Sequence, residues 1–199
     1  YRYGDKMLYE IIFYGRGGQG AVTASHLLVE AAMYEGKYGQ GFPFFGAERR
    51  GAPVTAYTRL SDTPILRHGM FDEADILVIF DDSILDLGIT KRIALRDSGI
   101  IVINTERKNI PLENVNSKGK FTVYVVNATK ISRELGLVVA GWPLVNTAML
   151  GAFSRASRLV SIESIKNAIM NYFGSKIGTV NAMAAQRAHD EITLLGEPV

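Results

Sequence analysis

The sequence predicts an α/β domain in three layers, with a mostly parallel sheet and a helical C-terminal third. Three observations carry this expectation. Short apolar runs rich in aromatic and β-branched residues occur at 7–14, 75–80, 99–104 and 121–127, the pattern of strands buried on both faces. Helical spacing intervenes between such runs, and strands alternating with helices imply a sheet covered on both sides. The last third shows helical patterns instead of strand-like ones. At 199 residues the chain is long enough for one domain with a sizeable core and too short for two ordinary ones, so residues 1–199 are read as a single unit.

Taken in order, 7–14 (MLYEIIFY) reads as a buried strand. In 20–35 the apolar positions Val22, Ala24, Leu27, Leu28, Ala31 and Ala32 fall at helical spacing, and Gly36 ends the helix. Residues 37–42 read as a strand weakened by two glycines, and 53–60 as another. Ser61 and Asp62 then suggest a turn into Pro64, Ile65 and Leu66, a candidate hairpin. After the strand at 75–80, Asp81, Asp82 and Ser83 are placed to cap a short helix. Two further strands follow at 99–104 and 121–127. Pro143 is expected to start a helix running to about Ala156. Ser161 caps the next, whose apolar face is Ile162, Ile165, Ile169 and Tyr172. Gly174 and Gly178 should break it, leaving a last amphipathic helix with Val180, Met183, Ala184, Ala188, Ile192 and Leu195.

Composition excludes several classes. The net charge of +2 is too small to argue for nucleic acid or an anionic membrane. There is no cysteine, which removes disulfides, thiolate zinc sites and iron–sulfur ligation together. His26, His68 and His189 are scattered and never at metal-ligand spacing. No apolar stretch reaches the length of a membrane span and no signal peptide opens the sequence, so the cytoplasm is the expected compartment.

Two segments bear on chemistry. Gly15, Arg16, Gly17, Gly18, Gln19 and Gly20 fit G-x-G-x-x-G at a strand-to-helix junction, where glycines let backbone N–H groups approach an anion at the positive helix end. A dinucleotide fingerprint also requires an acidic residue about twenty positions on, and residues 36–47 contain none. Arg16 adds a second anion-binding element; its alternative is a salt bridge to a neighbouring subunit, and the turn's alternative is plain strand–helix packing. The second segment, 40–59, is non-periodic. It places Phe42, Phe44 and Phe45 ahead of Glu48, Arg49 and Arg50, residue types enriched in interface hot spots, and is read as a docking loop. Asp81 and Asp82 stand where open α/β sheets bind ligands but are also ordinary helix caps. Asn146 and Thr147 present a polar tip to a ligand or simply start a helix. No nucleophile–base constellation can be assembled.

The blocks GRGGQGAVTAS (15–25), Q-x-FPFFGAERRGAPV (40–54) and NTAMLGA (146–152), with Arg59, Asp62, Pro64 and Ile65 continuing the second, resemble the gamma subunit of 2-oxoacid:ferredoxin oxidoreductases, the pyruvate synthase family. The resemblance implies a Rossmann-like domain within a hetero-oligomer of alpha, beta, gamma and delta subunits. Such a complex decarboxylates a 2-oxoacid, here pyruvate, on thiamine diphosphate and Mg, passes electrons through 4Fe-4S clusters to ferredoxin, and delivers the acyl group to coenzyme A. It implies that the cofactors sit in other chains, that this chain is inactive alone, and that it contributes to assembly and coenzyme A handling. On that basis Gly15 to Gly20, Asn146 and Thr147 are the candidate coenzyme A residues, and Phe42, Phe44, Phe45, Glu48, Arg49 and Arg50 the candidate interface. A free-standing dinucleotide-binding oxidoreductase domain and a purely structural scaffold subunit are the alternatives.

Overall fold

The structure is a computed structural model and describes residues 2–3, 6–45 and 51–195. Its frame is a sheet built on β2. In chain order the elements are β1 (Arg2–Tyr3), β2 (Lys6–Arg16), α1 (Ala21–Tyr34), β3 (Tyr38–Phe45), β4 (Pro53–Ser61), β5 (Glu73–Ile79) and α2 (Ser83–Asp86). There follow β6 (Ala94–Asn104), β7 (Phe121–Val126), α3 (Ala128–Glu134), the small strands β8 (Val138–Val139) and β9 (Trp142–Pro143), α4 (Asn146–Ser157), α5 (Ile162–Glu191) and β10 (Thr193–Leu194). The main sheet has the order β10-β7-β6-β5-β2-β4-β3, with β1 pairing β2. The four central strands β2, β5, β6 and β7 run parallel; β4 and β10 lie antiparallel to their neighbours.

Period-two alternation sends each strand's side chains to two cores. Ile11 and Phe13 of β2, Ile76 and Val78 of β5 and Val102 of β6 join a large core with α1, α3, α4 and α5. Ile12, Tyr14, Leu77, Ile79, Ile101 and Ile103 join a smaller core on the opposite face. Among the described residues that second face is covered by α2, two 3₁₀ turns (Ile89–Lys91 and Leu112–Asn114) and connecting loops. Close packing on the helical side sets residue size: a Cβ on Gly151 of α4 would sit 1.8 Å from the Ala185 carbonyl of α5.

The three-layer α/β expectation matches this architecture, and so do the strands expected at 37–42 and 53–60, which are β3 and β4, paired antiparallel. Three local expectations do not match. Pro64, Ile65 and Leu66 form no strand; the residues that would pair with them are taken by β2 and β3, which flank β4 on both sides. Pro143 lies in β9 and α4 starts only at Asn146, because Trp142 and Pro143 pair back onto Val138 and Val139. Gly174 does interrupt α5 with φ 74° and ψ 179°, whereas Gly178 stays helical, buried against Met170. Ser161 caps α5 as expected, its hydroxyl accepting from the Ser164 N–H at 3.1 Å.

Candidate functional site

Strand β2 delivers Gly15 and Arg16 to the C-terminal edge of the sheet, and the chain turns through Gly17–Gly20 into α1. Gly18 and Gly20 hold positive φ of 92° and 84°, a region open to glycine at little cost. At Gly20 space decides as well: a Cβ there would lie 2.4 Å from Asn146 Nδ2. The turn is pinned to the end of the β3–β4 hairpin, since the Gly17 N–H donates to the Ala52 carbonyl (2.7 Å) and the Gly51 N–H to the Gly17 carbonyl (3.2 Å).

Arg16 is fully engaged inside the chain. Its Nε donates to Asp81 Oδ2 at 3.2 Å, Nη1 to the Gly51 carbonyl at 3.0 Å and Nη2 to Ser83 Oγ at 2.7 Å. The ion pair anticipated with a neighbouring subunit is therefore made with Asp81, because the register of parallel β2 and β5 brings the two strand ends together. Gln19 completes the brace: its Oε1 accepts from the Arg16 N–H at 2.7 Å and its Nε2 donates to Asp81 at 3.4 Å. Asp81 also caps the Ser83 N–H at 3.1 Å, and Asp82 accepts from the Thr105 hydroxyl at 2.5 Å. The crevice beyond the central strands, about 390 Å³ and bordered by Gln19, Asp81, Asp82, Asn104 and Arg107, is thus lined by side chains already bonded to one another. Its carboxylates also disfavour an anion there.

The opposite flank of the turn is open. The first intrahelical bond of α1 runs from the Ala24 N–H to the Gly20 carbonyl at 2.9 Å, so the N–H groups before it have no partner within the helix. The cap, Gly20, supplies no side-chain acceptor and the first turn carries no acid, which leaves the positive end of the helix dipole uncompensated. Beside it lies a groove of about 500 Å³. Gly20, Thr23 and Asn146 form its polar end, Leu137, Val138 and Ile177 line it with apolar surface, and Lys176 stands at its side. Lys176 is exposed and makes no ion pair with the described residues. Gly174 interrupts α5 just before Lys176, and residues on both sides of the interruption line the groove.

The fold brings two of the sequence-singled segments together here, since Gly20 touches Asn146 across 126 positions of chain. Asn146 is 5% exposed and its Oδ1 accepts from the Thr147 N–H at 2.9 Å, which turns Nδ2 toward Gly20. Thr147 does not reach the groove; it is buried, and its hydroxyl donates to Asn181 Oδ1 at 2.8 Å. Lys176 was not anticipated. Lone lysines on a helix carry no sequence signal, and only the Gly174 interruption hinted that this segment departs from a regular face. Among the proposed interface residues, Phe42 is half-buried and stacks on Tyr57, while Phe44 is 46% exposed. The Phe45 side chain and Glu48, Arg49 and Arg50 lie outside the described residues.

An open α/β sheet whose strand β2 ends in a glycine turn and an uncompensated helix start is an arrangement shared with α/β domains of the nucleotide-binding class. The model of the family described as pyruvate ferredoxin/flavodoxin oxidoreductase matches residues 10–191, and the chain belongs to that family. It is 48% identical over 183 residues to the pyruvate/ketoisovalerate oxidoreductases common subunit gamma of Pyrococcus furiosus, covering 92% of this chain and 96% of that one. It is 44% identical over 183 residues, at the same coverage of each chain, to the pyruvate synthase subunit PorC of Methanocaldococcus jannaschii. The crystal structure of pyruvate oxidoreductase subunit PORC from Thermotoga maritima superposes with a TM-score of 0.78 at 32% identity, over 96% of this chain and 99% of that one.

Proposed function

We propose that the chain is the gamma subunit of a 2-oxoacid:ferredoxin oxidoreductase acting on pyruvate, where it serves assembly and coenzyme A handling in the conversion of pyruvate to acetyl-coenzyme A. The names and near-complete coverage of the relatives support the subunit assignment. The observation that carries the coenzyme A part is that the open α1 start, Asn146 and Lys176 all line one largely apolar groove. Phosphate groups suit backbone donors at a helix start and a free ammonium. A thin, largely apolar arm suits the walls at Leu137, Val138 and Ile177. Coenzyme A supplies the thiol that takes up the acyl group; the residues of this chain bind its phosphates and orient its arm.

In this reading Arg16 is a positioning residue. Its guanidinium is spent on Asp81, Ser83 and the Gly51 carbonyl, so it shapes the Gly15–Gly20 turn while the backbone N–H groups meet the anion. The β3–β4 hairpin docks on a partner through Phe42, Phe44, Phe45, Glu48, Arg49 and Arg50. Thiamine diphosphate, Mg and the 4Fe-4S clusters belong to the alpha, beta and delta subunits, this chain having no cysteine to ligate a cluster. Electrons leave for ferredoxin through the complex, and the chain alone turns over no 2-oxoacid.

The test is the assembled enzyme carrying Lys176→Gln, a variant that leaves the Arg16 brace untouched. The KM for coenzyme A is expected to rise about tenfold, as for loss of one charge-assisted phosphate contact, with the KM for pyruvate unchanged. An unaltered coenzyme A dependence would remove this groove from coenzyme A handling and leave the chain as an assembly subunit.

A further inference from the structure

A second cavity, of about 670 Å³, opens on the thinly covered face of the sheet. Register builds its floor: Phe44, Thr55 and Tyr14 lie side by side across β3, β4 and β2, and Phe42 lies beside Tyr57 in the row below. Tyr57 stacks flat on Phe42, with ring centroids 5.3 Å apart, and meets Phe71 edge-on at 5.0 Å. Aromatic surfaces so arranged accept a further flat ring. One side of the cavity is formed by Met70, Phe71 and Asp72 and the other by Ile89, Arg92 and Ile93.

One polar group here is buried without a partner. Tyr14 is 2% exposed and its hydroxyl has no hydrogen-bond partner. Leaving such a group unpaired is costly, and evolution of a packed floor alone would be served as well by phenylalanine. Thr55, from the strand pairing opposite Tyr14, makes no hydrogen bond with its hydroxyl among the described residues, and neither does the Arg92 guanidinium. Arg92 is nevertheless close enough to act electrostatically on both Tyr14 and Tyr57. Burial holds the Tyr14 phenol protonated to higher pH than usual, so it remains a donor. A buried phenol without a partner, a half-buried threonine hydroxyl and an exposed guanidinium thus border one aromatic cavity, of the size of small-molecule sites. Among the described residues Asp72 is the one carboxylate in the lining.

We propose that this cavity binds a small organic anion with a flat aromatic body, its anionic group held by Tyr14, Thr55 and Arg92 and its ring by Tyr57 and Phe71. The site is separate from the groove at α1 and does not depend on the coenzyme A reading. Calorimetric titration of the full chain with phenyl phosphate, inorganic phosphate and benzyl alcohol tests it. Phenyl phosphate is expected to bind once per chain, at least about tenfold more tightly than either fragment. Tyr14→Phe and Arg92→Gln should each weaken it about tenfold, as for loss of a hydrogen bond to a charged group, and Asp72→Asn should tighten it. Arg92 is exposed, so its variant folds whatever Tyr14→Phe does. Three results would overturn the proposal: no saturable binding, binding as strong for inorganic phosphate, or full-strength binding in both variants, as would follow from a site at α1. Weakened subunit assembly in Tyr14→Phe without any binding of phenyl phosphate would likewise overturn it, the cavity then receiving a partner's side chain.

Discussion

On one face of the sheet α1, α4 and α5 close a continuous apolar core, with Phe153, Leu27, Leu28 and Ile165 fully buried. On the other face the cover is a four-residue helix, two 3₁₀ turns and loops. Here polar side chains take over the task of holding the connection 62–72 in place. Arg59 and Glu10, 3% and 4% exposed, pair at 2.9 Å. Arg96 joins Glu10 at 2.6 Å and Asp75 at 3.0 Å, and Arg59 also donates to the Gly69 carbonyl at 2.9 Å and lies over the Phe71 ring. Helices fill space by periodicity, whereas loops must be tied down residue by residue. The thin face is also where a buried phenol, that of Tyr14, is left without a partner.

If that contrast is right, truncating the helical face costs most. Phe153→Ala removes a ring that packs against Phe13 at 6.4 Å and is 0% exposed. A loss of about 3–5 kcal/mol is expected for such a cavity, read as a shift in the urea midpoint at constant slope. A loss below about 1 kcal/mol would mean that the helical layer is loosely packed and the contrast is false.

Next in size is the polar network. Glu10→Gln leaves Arg59 and Arg96 without their shared carboxylate, and breaking a buried pair from one side costs about 3 kcal/mol or more, rarely above 5. Arg59 also ties Gly69 and Phe71, so proteolytic cleavage within 62–72 should accelerate in this variant more than in Phe153→Ala at equal global stability. Equal cleavage rates would show that the network is not what fastens the loop.

The same contrast explains what was legible in the sequence. Val22, Ala24, Leu27 and Leu28 announce α1 because a helix packing on a sheet needs a periodic apolar stripe. The apolar runs of β5, β6 and β7 announce central strands because both of their faces are covered. Strand β3 was legible only as a weakened strand because its residues serve neighbours with no common period: Gly41 clears Ser25 Oγ, where a Cβ would lie at 2.4 Å, while Phe42 stacks on Tyr57. In the candidate site Gly15–Gly20 and Asn146 stand out as residue types suited to turns and caps. Their contact with each other, the Arg16–Asp81 brace and the approach of Lys176 are products of strand order and of the Gly174 kink, which no local pattern encodes. Tyr14 looked like one more apolar strand residue, and only its unpartnered hydroxyl separates it from Phe13.

The smallest effect has the opposite sign and sharpens the comparison most. On a face selected only for stability, a buried phenol without a partner would be replaced by a phenylalanine of nearly the same shape. Tyr14→Phe deletes an oxygen that is buried and unbonded and keeps the ring that fills the floor beneath Tyr57. Removing such a group relieves its desolvation penalty, so the variant is expected to gain about 1 kcal/mol of stability. The check is the urea midpoint of the ligand-free chain beside that of the parent. On the helical face the corresponding exchange is not available: Ser25 and Thr58 are also buried hydroxyls, yet they satisfy each other at 2.7 Å, and Ser25→Ala should destabilise by leaving Thr58 alone. Opposite signs at Tyr14 and Ser25 would establish that the helical face is optimised for packing and that the thin face carries a group retained at a cost to stability. If Tyr14→Phe destabilises instead, the phenol has a partner in solution, and the cavity is filled by bound water in place of awaiting a ligand.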